Sequence, residues 1–132
     1  MIMHELGIAT NIVEIVQKEI SLHRYGRIAT IALRIGAMTD VDHESLRFGF
    51  EVITRNTPLE HTNLKIEAVP ISVHCEACAR DSEIERYQFV CPTCGSRNVA
   101  LQHGTELDIA YLEVDDGSED LSPHKKQEAS ND

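Results

Sequence analysis

The sequence predicts an α+β fold, in which a small mixed three-stranded sheet carries two helices and accepts an inserted cysteine-rich module. Two segments have the apolar spacing of amphipathic helices, and three have the alternating pattern of strands. All four cysteines fall between the second and third of these strands, in two C-x-x-C pairs. At 132 residues the chain is long enough for one domain with such an insertion.

The first helix is predicted for HELGIATNIVEIVQKEISLHRYG, from His4 to Gly26. Its apolar residues recur at helical spacing, Glu and Lys occupy the other side, and the glycine marks the end. The residues expected on the buried side are Ala9, Ile12, Val13, Val16 and Ile20.

A strand, a second helix and two more strands follow. RIATIALRIG alternates and ends at Gly36, with one face formed by Ile31, Leu33 and Ile35 and the other by Thr30, Ala32 and Arg34. The second helix begins near His43 with Asp42 as its N-cap. Its buried stripe is predicted to consist of Leu46, Phe50 and Ile53. LKIEAVP and ELDIAYLEV alternate as the second and third strands.

The inserted module is predicted to cover residues 71–103. It is poor in large apolar residues, and a segment of this size cannot build an adequate core alone, so a structural metal is the usual remedy. Its main apolar candidates are Ile84, Tyr87, Phe89 and Val90. We therefore expect three parts: an α/β domain of residues 1–70 and 104–114, a metal-binding module of residues 71–103, and a disordered acidic tail of residues 115–132.

The four cysteines occur as Cys75-Glu-Ala-Cys78 and Cys91-Pro-Thr-Cys94, with 12 residues between the pairs. Two such turns present four thiolates, which suit the tetrahedral coordination of structural zinc. Four sulfur ligands close the shell, so a zinc-ribbon-like site without catalytic function is expected. The alternatives are a redox dithiol and a rubredoxin-type iron site. His74, next to the first cysteine, is either part of this site or an ordinary surface histidine.

His4 and Glu5 lie near the start of the sequence, in MIMHELGIA. The segment offers an imidazole nitrogen together with backbone amides that can be deprotonated. Nitrogen donors of this kind suit nickel(II) or copper(II) in planar geometry better than zinc. The other interpretation is a solvated helix start, where the acidic side chain offsets the positive end of the helix dipole. The local sequence leaves both open.

Composition and missing motifs narrow the function. The net charge of −10 argues against nucleic acid, because affinity for phosphates depends on Lys and Arg. No apolar run reaches membrane-spanning length, and no basic segment followed by an apolar core marks a secretory signal, so we expect a cytoplasmic protein that does not bind a membrane. The sequence contains neither a G-x-x-x-x-G-K-S/T loop nor a supported Ser-His-Asp arrangement. We therefore expect no enzyme and no GTP hydrolysis by the chain itself.

Seven segments in order carry a resemblance: MHELGIA, LRIG, VDHESLRFGFEVITRNTPLE, LKIE, the C-x-x-C pair, CPTCGS and GTELDIAYLEV, which span residues 3 to about 114. The chain resembles the HypA/HybF family of nickel-insertion accessory proteins for nickel-iron hydrogenase. The resemblance implies a metallochaperone that carries Ni(II) as transient cargo at the Met-His-Glu segment and retains structural Zn(II). It also implies a HypB-type GTPase partner and delivery of nickel to the hydrogenase large subunit. We expect a monomer or a weak dimer.

The resemblance assigns roles to individual residues. His4 matches the nickel histidine, and Glu5 matches its acidic neighbour. Asp42 stands where many members have Glu in a Val-Glu-Pro run, so both acidic residues are candidate further ligands. The zinc ligands are matched by Cys75, Cys78, Cys91 and Cys94.

One feature at the start departs from the family pattern. Members usually begin directly at Met-His-Glu, whereas Met1 and Ile2 precede that segment here. Either Met3 is the working start, or nickel is bound without a terminal amine.

The alternative function is a zinc-stapled adaptor that recognises a protein partner and transfers no nickel.

Overall fold

The structure is a computed structural model, and it describes residues 2–115 and 125–127. Two helices and a short 3₁₀ turn accompany seven strands in the described part of the chain. The helices are α1 (Ile2–His23) and α2 (His43–Thr54), and the 3₁₀ turn is Ala37–Thr39. The strands are β1 (Arg27–Gly36), β2 (Asn63–Val69), β3 (Ser72–Cys75), β4 (Asp81–Glu83), β5 (Val99–His103), β6 (Leu107–Asp115) and β7 (Lys125–Gln127).

The strands form two sheets. One has the order β2-β1-β6-β7, and the other has the order β4-β3-β5, with β3 antiparallel to both neighbours. The three strands predicted from alternation are β1, β2 and β6, and they lie side by side in the first sheet. The predicted α+β class with a cysteine-bearing insertion is therefore confirmed. No helix in the described residues is long and apolar enough to cross a membrane.

The chain divides into two compact units. The first covers residues 1–33, 41–66 and 109–132, as far as these are described, and the second covers residues 34–40 and 67–108. The second unit holds all four cysteines. It also includes the end of β1 and the turn after it, which the sequence assigns to the helix-bearing domain.

Hydrogen bonds explain why residues 34–40 group with the second unit. The N–H of Gly36 donates to the carbonyl of Glu106 at 2.7 Å, and the N–H of Met38 donates to the carbonyl of Gly104 at 2.8 Å. A Cβ on Gly36 would lie 2.1 Å from the carbonyl oxygen of Gly104, so only glycine permits this approach. Arg34 adds two bonds to the carboxylate of Asp108, at 3.0 and 3.3 Å.

The first unit is built around β1, which lies between β2 and β6. Its predicted apolar face is buried, and so are Thr30 and Ala32 of the opposite face. Lys65 of β2 donates to the Tyr111 hydroxyl of β6 at 3.0 Å, so a hydrogen bond joins the two strands that flank β1. Both faces of the central strand β1 are thus covered, and the alternating apolar pattern of its sequence does not reveal this.

The two helices pack together with their apolar stripes. The buried members are Ala9, Ile12 and Val16 of α1 and Leu46 and Phe50 of α2. Gly49 of α2 allows close approach, because a Cβ there would lie 3.4 Å from the Leu6 side chain. Ile53, the third predicted member of the α2 stripe, is only half-buried.

Only a small part of the predicted tail is described. Asp115 ends β6, and Lys125–Gln127 form β7, which pairs antiparallel with residues Leu112, Glu113 and Val114 of β6. A strand at this place was not predicted, because the tail is rich in charge and poor in apolar residues. Residues 116–124 and 128–132 lie outside the described part of the chain.

Candidate metal centre

The four cysteines converge at one point of the second unit. Their sulfur atoms all lie within 4.8 Å of one another. The Sγ atoms of Cys75 and Cys94 are 3.6 Å apart, and those of Cys78 and Cys91 are 3.7 Å apart. Each of these distances therefore joins one C-x-x-C turn, here called a knuckle, to the other. None of the four forms a disulfide. The two C-x-x-C pairs therefore build a single four-sulfur cluster, as their spacing predicts.

Each pair adopts the same tight turn. In the first, the N–H of Ala79 donates to the carbonyl of Cys75 at 2.8 Å, and in the second the N–H of Gly95 donates to the carbonyl of Cys91 at 2.8 Å. The residue after the second cysteine has positive φ in both turns, 60° at Ala79 and 77° at Gly95. Only the second knuckle places at this position the residue that tolerates the left-handed region without a Cβ penalty.

Short strands hold the cluster in place. Cys75 is the last residue of β3, and the N–H of Glu76 donates to the carbonyl of Asn98 just ahead of β5. Cys75 and Cys91 are buried, whereas Cys94 is exposed. The module's core consists of Ile71 and Val73 with these two cysteines. Tyr87, Phe89 and Val90, expected from the sequence as its main apolar side chains, are exposed because they lie in the loop ahead of the second knuckle.

The protein environment shifts the pKa values of the cysteine thiols in different directions. Burial, together with the neighbouring sulfurs, raises the pKa of Cys78 to about 12. The backbone N–H groups of Cys94 and Thr93 point at Cys91 and lower its pKa to about 6. Four thiolates at these separations repel one another, so a bound cation is the group that would stabilise all of them together.

The donor set fits a tetrahedral metal with sulfur ligands. Zinc(II) is the usual occupant of a site with four cysteine ligands, and iron shares the preference. A redox dithiol needs only one C-x-x-C pair, and it gives no reason for the second pair to meet the first. The cluster can thus hold zinc in a closed shell with no place for a substrate.

His74 is outside the sulfur cluster. Its Nδ1 lies 2.7 Å from a carboxylate oxygen of Asp81, and its Nε2 lies 3.4 Å from one of Glu76. Both ring nitrogens therefore face carboxylates. His74 is therefore a partly exposed histidine paired with exposed carboxylates, and no local signal in the sequence indicates the Asp81 contact.

His4 and Glu5 lie in the first turn of α1, with opposite environments. His4 is exposed, whereas Glu5 is 1% exposed. The Oε2 of Glu5 accepts a hydrogen bond at 3.1 Å from the backbone N–H of Asp42. This bond is the main reason that the pKa of Glu5 lies below its usual value. The interpretation of Glu5 as a solvated side chain at the helix start is therefore wrong.

Asp42 is the N-cap of α2, as the sequence predicts. Its carboxylate accepts the backbone N–H of Ser45 at 3.1 Å and the Ser45 hydroxyl at 2.5 Å, and these bonds lower the pKa of Asp42. The backbone N–H of Asp42 thus contacts Glu5, whereas its side chain caps the N-terminus of α2. In the described residues, the four cysteines are the one group of three or more potential ligands that come together.

Comparison with known proteins places this geometry in context. A family model described as hydrogenase/urease nickel incorporation, metallochaperone, hypA matches residues 3–114. A hydrogenase maturation factor HypA of Syntrophus aciditrophicus is 38% identical over 113 residues, which covers 86% of this chain and 98% of that protein. A hydrogenase maturation factor HybF of Morganella morganii is 31% identical over 111 residues, covering 84% and 98%.

Solved structures agree on the fold. The solution structure of the Ni metallochaperone HypA from Helicobacter pylori superposes with a TM-score of 0.58 at 19% identity, covering 83% of this chain and 96% of the other. At this identity the similarity supports the architecture alone.

Proposed function

The chain belongs to the HypA family of hydrogenase and urease nickel-incorporation metallochaperones, and on this premise we propose that it carries Ni(II) at the Met-His-Glu segment around His4. The cargo is destined for a nickel-iron hydrogenase. The observation that supports this site most is the exposure of His4 in the first turn of α1. The N–H groups of a first helical turn have no acceptor within the helix, so amide nitrogens are available beside the imidazole.

The chemistry of these donors suits a carrier. Imidazole and deprotonated amide nitrogens favour nickel(II) in planar geometry, and an exposed site with one ligating side chain lets the ion leave readily. Because binding displaces protons from the ligands, nickel affinity rises with pH. In the proposal the cysteine cluster holds a resident zinc, which supports the fold of its unit and takes no part in transfer.

Partners and location complete the proposal. We assign a GTPase of the HypB type as the partner for release, and the hydrogenase large subunit as the recipient. Neither requires the chain itself to catalyse a reaction. Four reduced thiols persist in a reducing compartment, so the cytoplasm is the proposed location.

The test of the nickel site is a titration of zinc-loaded protein with Ni(II), comparing the full chain with His4→Ala. A matched control is His61→Ala, which removes an exposed histidine of the same unit from a turn. The full chain and the control are expected to bind about one nickel, and His4→Ala to lose that binding while its zinc content is unchanged. Retained binding in His4→Ala would overturn the assignment of this residue.

A third form, beginning at Met3, addresses the two residues ahead of the segment. If the full chain and this form bind nickel equally, Met1 and Ile2 are tolerated. If only the form beginning at Met3 binds, a free amine at that position is a ligand.

The adaptor function remains the second candidate, and one observation favours it. Tyr87 is 70% exposed, and Phe89 and Val90 beside it are also exposed, as is common on surfaces that bind a protein. An adaptor predicts that His4→Ala binds its partner normally and that the chain shows no saturable nickel binding near neutral pH. The titration therefore separates the two functions.

A further inference from the structure

The buried carboxylate of Glu5 connects the two helices of the first unit. It accepts the backbone N–H of Asp42, the residue that caps α2, at 3.1 Å. With only 1% of its surface exposed, Glu5 is one of three polar residues in the described chain that are as buried as the core. A charged side chain is rarely buried to this extent unless it is paired, so its role requires an explanation.

We propose that Glu5 is a positioning residue for the nickel segment and does not bind the metal. The inference rests on the proposed nickel function and specifies how the site is held. The hydrogen bond anchors the first turn of α1 to the N-cap of α2, and the adjacent His4 is thereby kept on the exposed side of the helix.

Helix geometry makes the anchor effective. Consecutive residues of an α-helix point about 100° apart, so a side chain fixed inward turns its neighbour away from the core. A first helical turn tends to fray unless it is tied down. Anchoring Glu5 therefore lowers the ordering cost of nickel binding, because the segment has less conformational freedom to lose when the ion binds.

The same contacts bear on which atoms can bind the ion. The Oε2 of Glu5 accepts the N–H of Asp42 and its Oε1 is buried, so this carboxylate is held in the interior, away from the exposed imidazole of His4. Ser45 engages one oxygen, Oδ2, of the exposed Asp42 carboxylate. Without Glu5, the donors of the segment itself are the imidazole and amide nitrogens, which favour nickel(II) and copper(II) over zinc(II).

The experiment uses variants that separate length from charge. Glu5→Gln keeps the length and the accepting oxygen but loses the charge and most of the capacity to bind a metal. Glu5→Asp keeps the carboxylate but is one methylene too short for the same contact. Both are titrated with Ni(II) in the zinc-loaded full chain, and the ligand-field absorption bands are recorded at saturation, with His4→Ala as reference.

Positioning predicts that Glu5→Gln binds nickel within about twofold of the unmodified chain, with unchanged absorption bands. It predicts that Glu5→Asp weakens binding by about tenfold without shifting the bands, because the donors are the same but less well ordered. Zinc content and helical ellipticity are measured for each variant. The Gln variant, nearly isosteric, provides the decisive comparison should the Asp variant unfold.

The reverse order would overturn the proposal. If Glu5→Gln loses about tenfold or shows shifted bands while Glu5→Asp binds normally, Glu5 is a ligand. If both variants bind like the unmodified chain, Glu5 does not influence the segment. Failure of the nickel function itself is recognised separately, because His4→Ala would then also bind normally.

Discussion

The cysteine cluster and the His4 segment differ in the number and the burial of the ligands that they offer to a metal. The cluster takes four side-chain ligands from two knuckles, has two of them buried, and closes its coordination shell. The segment exposes one imidazole at the start of a helix, and the carboxylates of Glu5 and Asp42 are engaged in hydrogen bonds. On the proposed function, the number and burial of ligands thus distinguish the zinc that stays bound from the nickel that is passed on.

The two sets of candidate ligands are also held in place by different kinds of contact. The cluster depends on local turns, each closed by a backbone hydrogen bond within one C-x-x-C motif. The segment depends on a contact between residues 37 positions apart in the sequence. Local turns can be recognised from a motif, whereas a long-range contact requires the fold. This difference can be tested in four ways.

The largest effect is expected from removing one buried ligand of the cluster. The unmodified chain is expected to hold about one zinc per molecule, and Cys91→Ser should lose it, because a serine hydroxyl is a poor replacement for a thiolate. Metal analysis after exhaustive dialysis measures this. His74→Ala is the control and should retain zinc, since its ring nitrogens face carboxylates. Stoichiometric zinc in Cys91→Ser would contradict the four-sulfur site.

A core substitution in the first unit should leave the zinc in place. Leu46 is fully buried in α2, so Leu46→Ala should lower the free energy of unfolding by about 3 kcal/mol. Phe48→Ala, on an exposed side chain of the same helix, should change it by less than about 0.5 kcal/mol. Urea unfolding followed by helical ellipticity measures both. Loss of zinc from folded Leu46→Ala would show that the two units are not separable.

The two knuckles differ in one residue, and this difference predicts a smaller effect. Gly95→Ala introduces a Cβ with no atom within 4 Å, so its cost is the backbone conformation alone, about 1 kcal/mol. Zinc affinity, measured by competition with a coloured chelator, should fall by about fivefold. Ala79→Gly relieves the same strain but increases chain entropy in the unfolded state, so it should change affinity by less than about twofold. Equal effects in the two variants would show that the turns do not determine affinity.

The smallest effect concerns pH. Because the folded state lowers the pKa of Glu5 below its ordinary value of 4.5, the folded chain binds fewer protons than the unfolded chain in this range. The resulting stability is complete above pH 4.5 and is lost as the pH falls through the lowered pKa. Glu5→Gln cannot titrate, so its urea midpoint should fall less steeply between about pH 5 and pH 3 than that of the unmodified chain.

The control for this measurement is Glu14→Gln, which alters an exposed residue of the same helix. Zinc release in acid affects all three chains alike, so the difference between their slopes isolates Glu5. Parallel slopes in Glu5→Gln and the unmodified chain would show that the contact with Asp42 gives no net stabilisation.

Much of this molecule can be predicted from its sequence. The two helices, the strands β1, β2 and β6, and the convergence of the four cysteines follow from apolar spacing and from a local motif. The N-cap role of Asp42 is also local, because it depends on Ser45 three residues later.

Other features are out of reach because they depend on tertiary contacts. Strands β3, β4 and β5 are only three to five residues long, which is too short for an alternating pattern to be recognised in the sequence. Glu5 resembles any acidic residue at a helix start, and its burial follows from the packing of α1 against α2. The large apolar side chains near Tyr87, expected in the module's core, lie at the surface, whereas Ile71 and Val73 are buried with two of the cysteines.

The central claim is that one chain offers a four-sulfur site for zinc and a nitrogen site for nickel. X-ray absorption at the zinc and nickel edges of one doubly loaded sample tests it directly. The claim predicts four sulfur neighbours at about 2.3 Å around zinc and a nickel shell of nitrogen or oxygen with no sulfur. Sulfur in the nickel shell, or fewer than four sulfurs around zinc, would show that the two metals share ligands and would contradict the claim.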